Sequence, residues 1–127
     1  PLSGVRSIKG RGYEQFRTAA GFYDAKEYRK AVPVLKGLLL DSAFQEKAKV
    51  RFFLAMSYLE AEKTDAAVKA FREVPAGSAY EAKAQWYLAL SLLKRDDREG
   101  AKAIFESIAG QSGHAYKAKA AAVLKKM

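Results

Sequence analysis

Leu88-Ala89-Leu90-Ser91-Leu92-Leu93-Lys94-Arg95-Asp96-Asp97-Arg98-Glu99-Gly100-Ala101-Lys102-Ala103-Ile104-Phe105 sets Ala89 12 positions before Ala101 and Phe105 four positions after it, with Ile108 seven after. Small residues at fixed distances from large apolar ones, on either side of a polar break, describe two amphipathic helices that approach closely at the alanines. The same frame stands twice upstream, as Ala55, Ala67, Phe71 and Val74, and as Ala19, Ala31, Leu35 and Leu38. Ala31, Ala67 and Ala101 are separated by 36 and then 34 residues. A period of this length marks stacked helix pairs. Such arrays present surfaces to partners and rarely carry chemistry.

Working outward from this frame, the first helix is expected from Tyr13 to Asp24 and its partner from Glu27 to Leu40, with Pro33 inside it. A proline there is tolerated in the first turn and otherwise kinks the helix. Ser42 with Gln45, and Ser78 with Glu81, have capping-box spacing and predict helices over 43–62 and 79–94. Thr64 is the expected N-cap of a helix that Pro75 and Gly77 end, and Asp96 or Asp97 that of a helix stopping before Gly110. A last helix is expected over 114–126. Its start, Ala115-Tyr116-Lys117-Ala118-Lys119-Ala120, repeats Ala79-Tyr80-Glu81-Ala82-Lys83-Ala84. With no second helix after it and with Lys117, Lys119, Lys125 and Lys126 to solvate it, it reads as a terminal cap. Residues 1–12, with Gly4, Gly10 and Gly12 among Arg6, Lys9 and Arg11, read as an irregular lead-in to a single domain over 13–127.

Composition bounds the chemistry. The chain has 127 residues, half of them hydrophobic, with three Pro and nine Gly, which suits one folded helical domain. There is no Cys, which excludes disulfides, thiolate metal sites and a Cys nucleophile, and no Asn, which excludes N-glycosylation. No run approaches the ~20 apolar residues of a membrane span. The chain opens on Pro1 without Met, as a processed product or a segment of a longer protein does. The net charge of +9 is concentrated at the ends: residues 1–40 carry eight basic and three acidic groups, 41–113 carry eleven of each, and 114–127 carry four Lys and no acid. His114 is the only His, too few for a His-based metal site, and Gly4…Gly10-x-Gly12 lacks the Lys-Ser/Thr ending of a phosphate loop. No catalytic residue, metal or cofactor is expected.

The frame resembles the tetratricopeptide repeat. The second unit has Leu54-Ala55 and Tyr58 before Ala67 and Phe71, the third Leu88-Ala89 and Leu92 before Ala101 and Phe105, and the first Ala19 and Phe22 before Tyr28, Ala31 and Leu35. The chain departs from the family at the helix-A Trp position, which holds Gln15, Arg51 and Gln85, and at the turn Gly, replaced by Lys26, Lys63 and Asp96. The resemblance implies an all-α, right-handed α-α superhelix of three helix-turn-helix units, about 13–41, 43–77 and 79–112, plus the C-terminal capping helix. Pro75-Ala76-Gly77-Ser78-Ala79-Tyr80 and the helix after it are similar to repeats of bacterial cell-envelope proteins, which favours a periplasmic or envelope location over the cytoplasm.

The family lines its concave groove with the first helix of each unit. Carried over, this implies Tyr13, Phe16, Ala20 and Tyr23 in the first unit, Lys49, Phe52, Met56 and Leu59 in the second, and Lys83, Trp86, Leu90 and Leu93 in the third. Their spacing puts each set on one helical face, an aromatic trough for a peptide or amphipathic helix of another protein, with Trp86 as an anchor. Lys49, Lys83 and Lys119 stand as a ladder beside it, or as ordinary solvated lysines. The family's carboxylate clamp is excluded, because its first-unit positions hold Phe16 and Ala20 and its asparagines have no counterpart. Two other readings stand beside this one: the basic ends on nucleic acid or an anionic membrane, and self-association with residues 1–12 or a second copy in the trough.

Overall fold

The computed structural model describes the backbone from Leu2 to Met127 and side chains from Gly10 onward. The described residues form seven helices: α1 (Leu2–Asp24), α2 (Tyr28–Leu40), α3 (Lys47–Glu60), α4 (Thr64–Arg72), α5 (Glu81–Lys94), α6 (Arg98–Ala109) and α7 (Lys117–Lys126). Among the described residues there is no strand, and each helix packs against the one before and the one after it. The result is an all-helical array of three hairpins, α1–α2, α3–α4 and α5–α6, closed by α7.

The repeating alanines explain the close approach. Ala31, Ala67, Ala101, Ala55 and Ala89 have no exposed surface, and Ala19 almost none. The large partners Leu35, Phe71 and Phe105, with Leu38, Val74 and Ile108, are buried between them. Three apolar clusters follow in chain order, around Leu35 and Phe44, around Phe52 and Phe71, and around Leu92 and Phe105. Ser57 and Ser91 are buried among them, each hydroxyl donating to the carbonyl one turn back, Phe53 at 2.8 Å and Tyr87 at 2.7 Å. These polar side chains therefore add no unmet hydrogen bond to the core.

The first helix of every hairpin ends in the same way. Lys26, Glu62 and Asp96 have φ of 62°, 62° and 63°. Each donates its N–H two positions past a helix end, to Tyr23, Leu59 and Leu93, and the next residue donates to Phe22, Tyr58 and Leu92 at 2.8 Å. This is a Schellman motif made three times without glycine. The second-unit turn residue is Glu62, one position before the expected Lys63. Left-handed backbone disfavours a side chain. Lys26→Gly and Glu62→Gly are each expected to raise stability by up to ~1 kcal/mol, read from the midpoint of urea unfolding.

Several boundaries differ from expectation for local reasons. α1 begins at Leu2, not Tyr13, so the segment expected to be irregular is helical from Leu2, and Pro1 lies outside the described residues. Gly12 serves a close approach: a Cβ there would meet Phe44 at 2.9 Å. The Ser42–Gln45 box does not form. Phe44 turns into the core, Asp41 accepts the Ala43 N–H at 2.9 Å, and α3 starts only at Lys47. Lys63 holds the cap position before Thr64. Glu81 reaches back to the Gly77 N–H at 2.6 Å, but its helix starts at Glu81. Asp97 is the cap of α6, accepting the Gly100 N–H at 2.9 Å. A Cβ at residue 100 would strike that carboxylate at 2.6 Å, so glycine keeps the cap in place. α7 starts at Lys117 instead of 114, after a turn built by His114.

Candidate functional site

The aromatic side chains expected to line an open trough mostly join the units. Phe52, Met56 and Leu59 are buried in the central cluster. Phe16, Tyr23, Trp86, Leu90 and Leu93 are half-buried, as are Ala20 and Lys49, while Tyr13 and Lys83 are exposed. Phe16 stacks on Phe44 (centroids 6.4 Å, 19° between planes), Phe52 lies over Tyr80 (5.3 Å, 30°), and Trp86 lies flat on Tyr116 (5.2 Å, 10°). In every unit an aromatic of the first helix thus holds an aromatic from the start of the next unit. Edge contacts complete the joint: Phe53 meets Phe16 at 5.9 Å and Tyr23 at 5.7 Å, and Trp86 meets Phe105 at 5.5 Å. Only about 10 Å³ of space remains among Phe16, Tyr23 and Phe53, at the lower limit for one water.

Two of the three lysines of the ladder rest on aromatic rings. Lys49 Nζ sits 4.7 Å over the Phe16 ring and Lys119 Nζ 5.5 Å over Tyr116, while Lys83 is exposed. These contacts cover the joints and each contributes about 0.5–1 kcal/mol. Spacing along one helix cannot distinguish a face turned to a ligand from a face turned to the next repeat, because both are apolar at the same period.

Trp86 therefore acts first on stability. Trp86→Ala is expected to cost about 2–3 kcal/mol, less than a fully buried tryptophan, and to loosen α7, whereas Trp86→Phe keeps most of the stack. Faster amide exchange across α7 in the alanine variant is the diagnostic signal.

Among the described residues no fully buried side-chain nitrogen or oxygen lacks a hydrogen-bond partner. His114 Nε2 lies 2.8 Å from the Gln85 side-chain oxygen, and the Tyr116 N–H donates to His114 Nδ1 at 3.0 Å. With both ring nitrogens engaged, His114 ties the linker to α5. Burial, and after it the Glu60 carboxylate, pushes the Tyr23 phenol up to about 12, and burial raises that of Tyr116. Among the described residues no three His, Asp or Glu side chains gather as a metal site, and no helix is long and apolar enough to cross a membrane.

An open apolar recess lies elsewhere, between α2 and α4 with α3 as its floor. It encloses about 450 Å³. Leu39 and Leu40 come from α2, Leu54 and Tyr58 from α3, Ala66 and Ala70 from α4. Lys36, Arg51, Lys69 and Glu73 stand around it. Leu40 is 88% exposed, whereas the other leucines among the described side chains are buried or half-buried. The recess runs alongside α4, whose Ala66, Lys69 and Ala70 line it together with Leu39 and Leu40 from the last turn of α2. A signal was present in Leu38-Leu39-Leu40. Successive helical residues are 100° apart, so three leucines in a row span too wide an arc for one core face. Leu38 takes the core position in line with Ala31 and Leu35.

A stack of helical hairpins joined face to face by aromatic clasps defines a helical-repeat scaffold. Residues 83–112, covering nearly all of α5, its turn and α6, match the family model described as tetratricopeptide repeat, and this third unit is a tetratricopeptide repeat. No curated protein and no solved structure matches the chain. Tetratricopeptide repeats generally mediate protein–protein interactions, and the family is typically a non-enzymatic scaffold.

Proposed function

We propose that this chain is a protein-interaction module that receives a bulky apolar side chain of a partner segment, a peptide or an amphipathic helix, in the recess between α2 and α4. The observation that carries this reading is Leu40, 88% exposed at the mouth of a 450 Å³ apolar recess. The helix-A face supports it less well. There Tyr13 and the outer edges of Trp86, Leu90 and Leu93 are accessible, but Phe52, Met56 and Leu59 already fill the core. The basic-end reading has weaker support too, since Lys119 rests on Tyr116 and the side chains of Arg6 and Lys9 lie outside the described residues. A leucine brought from water into an apolar contact contributes about 1.5–3 kcal/mol.

Leu40→Asp is expected to weaken capture of the partner at least tenfold while leaving the melting curve nearly unchanged, because an exposed position costs little to alter. The measurement is parallel affinity capture from source-cell lysate with native and variant domains, washed at high salt. A partner kept equally by both would place the contact elsewhere on the molecule.

A further inference from the structure

We infer that the segment this recess takes is acidic: a bulky aliphatic or aromatic side chain with carboxylates on both sides of it. The inference rests on the recess being the binding surface. The charges at its mouth are unequal. Lys36 stands on α2, Arg51 on α3 and Lys69 on α4, against the single carboxylate of Glu73. Arg51 holds that carboxylate at 3.3 Å, so these two cancel. Among the described residues, Lys36 and Lys69 have no carboxylate within 4 Å. Two uncompensated ammonium groups therefore flank the apolar slot, one on each wall.

On α2, Lys36 and Leu40 are four residues apart and share a helical face. On α4, Lys69 stands next to Ala70 of the slot wall. An occupant that seats an apolar side chain against Leu40 and Leu54 thus brings its flanking positions within reach of both lysines. Carboxylates there find partners, whereas ammonium groups meet like charge. The same argument disfavours a second copy of this chain, whose net charge of +9 repels itself. Flexible lysines suit this task, since they adjust to a carboxylate at either end of a segment.

The test uses three labelled peptides identical in a pair of leucines one helical turn apart, with the surrounding positions all Glu, all Gln or all Lys. Binding is followed by the amide shifts of Leu40, Ala66 and Ala70. The Glu peptide is expected to bind about fivefold tighter than the Gln peptide at low salt, and the advantage to shrink as salt rises. Lys36→Glu with Lys69→Glu is expected to reverse the order, so that the Lys peptide binds best. Both lysines are exposed, which keeps the fold out of the comparison. Equal binding of Glu and Gln peptides, each lost in Leu40→Asp, overturns the acidic preference and leaves the recess as the site. Binding of the Glu peptide that is unchanged by Leu40→Asp and moves other amides overturns the inference, as attraction to the basic surface at large. Failure of all three peptides to move these amides removes the recess itself, and the inference with it.

Discussion

Phe105→Ala is expected to lower the unfolding free energy by about 3–5 kcal/mol, the cost of emptying an aromatic-sized site in a packed core. Phe105 has no exposed surface and shares its cluster with Leu92, Ala101, Ile108 and Ala120, with Trp86 against its ring at 5.5 Å. Few small side chains nearby can swing in to fill the gap, because the neighbouring alanines are already at the approach limit of the helices. A loss of this size should move the melting temperature by about 10–20 °C in a domain of this length. Its distribution is as informative as its size. In a repeat array each unit contacts its neighbours only, so stability is nearly a sum of unit and joint terms. Amide exchange should therefore accelerate across α5, α6 and α7 and around Val68 in the middle of α4, which joins the same cluster. α1 and α2, whose cluster is centred on Leu35 and Phe44, should keep their protection. Uniform acceleration through all seven helices would mean that the array unfolds as one cooperative block.

Ala67→Leu is expected to destabilise by about 2–3 kcal/mol through the opposite fault, too much volume. Ala67 has no exposed surface and lies where α4 crosses α3, in the cluster of Phe52 and Phe71. Both alanine and leucine are strong helix formers, so propensity does not explain a loss. The added branch must push α3 and α4 apart, and with them the Phe52–Tyr80 and Phe71–Tyr87 contacts at 5.3 and 6.2 Å. Ala103→Leu is the matched control. Ala103 is exposed on α6, and the same change there should stay within ~0.5 kcal/mol. Urea unfolding of the two variants separates close packing from propensity, and equal midpoints would dismiss the steric account of the alanine period.

The helix pairs were legible from Ala31, Ala67 and Ala101 with Leu35, Phe71 and Phe105, because a small residue at a helix crossing and a large one beside it leave a fixed period in the chain. Polar breaks near Lys26, Glu62 and Asp96 located the turns to within a residue. Helix starts were less legible. Ser42, Thr64 and Ser78 have capping chemistry, yet Phe44 and Tyr80 are drawn into aromatic joints, and that tertiary contact sets where the helix begins.

The candidate surface shows the sharper division. The composition of Phe16, Phe52 and Trp86 guaranteed that they would be covered by something, since apolar surface leaves water wherever it can. The chain alone did not say whether the cover would be a ligand or the next repeat. Phe44, Tyr80 and Tyr116 supply that cover, over distances of 28 to 30 residues along the chain. The recess at Leu40 depends on a juxtaposition no single helix contains, Leu40 of α2 with Leu54 of α3 and Ala66 and Ala70 of α4. Periodicity is a local property and is written residue by residue. Which apolar face finds a partner, and which is left over, depends on how the helices stack, and so appears only when the chain is folded.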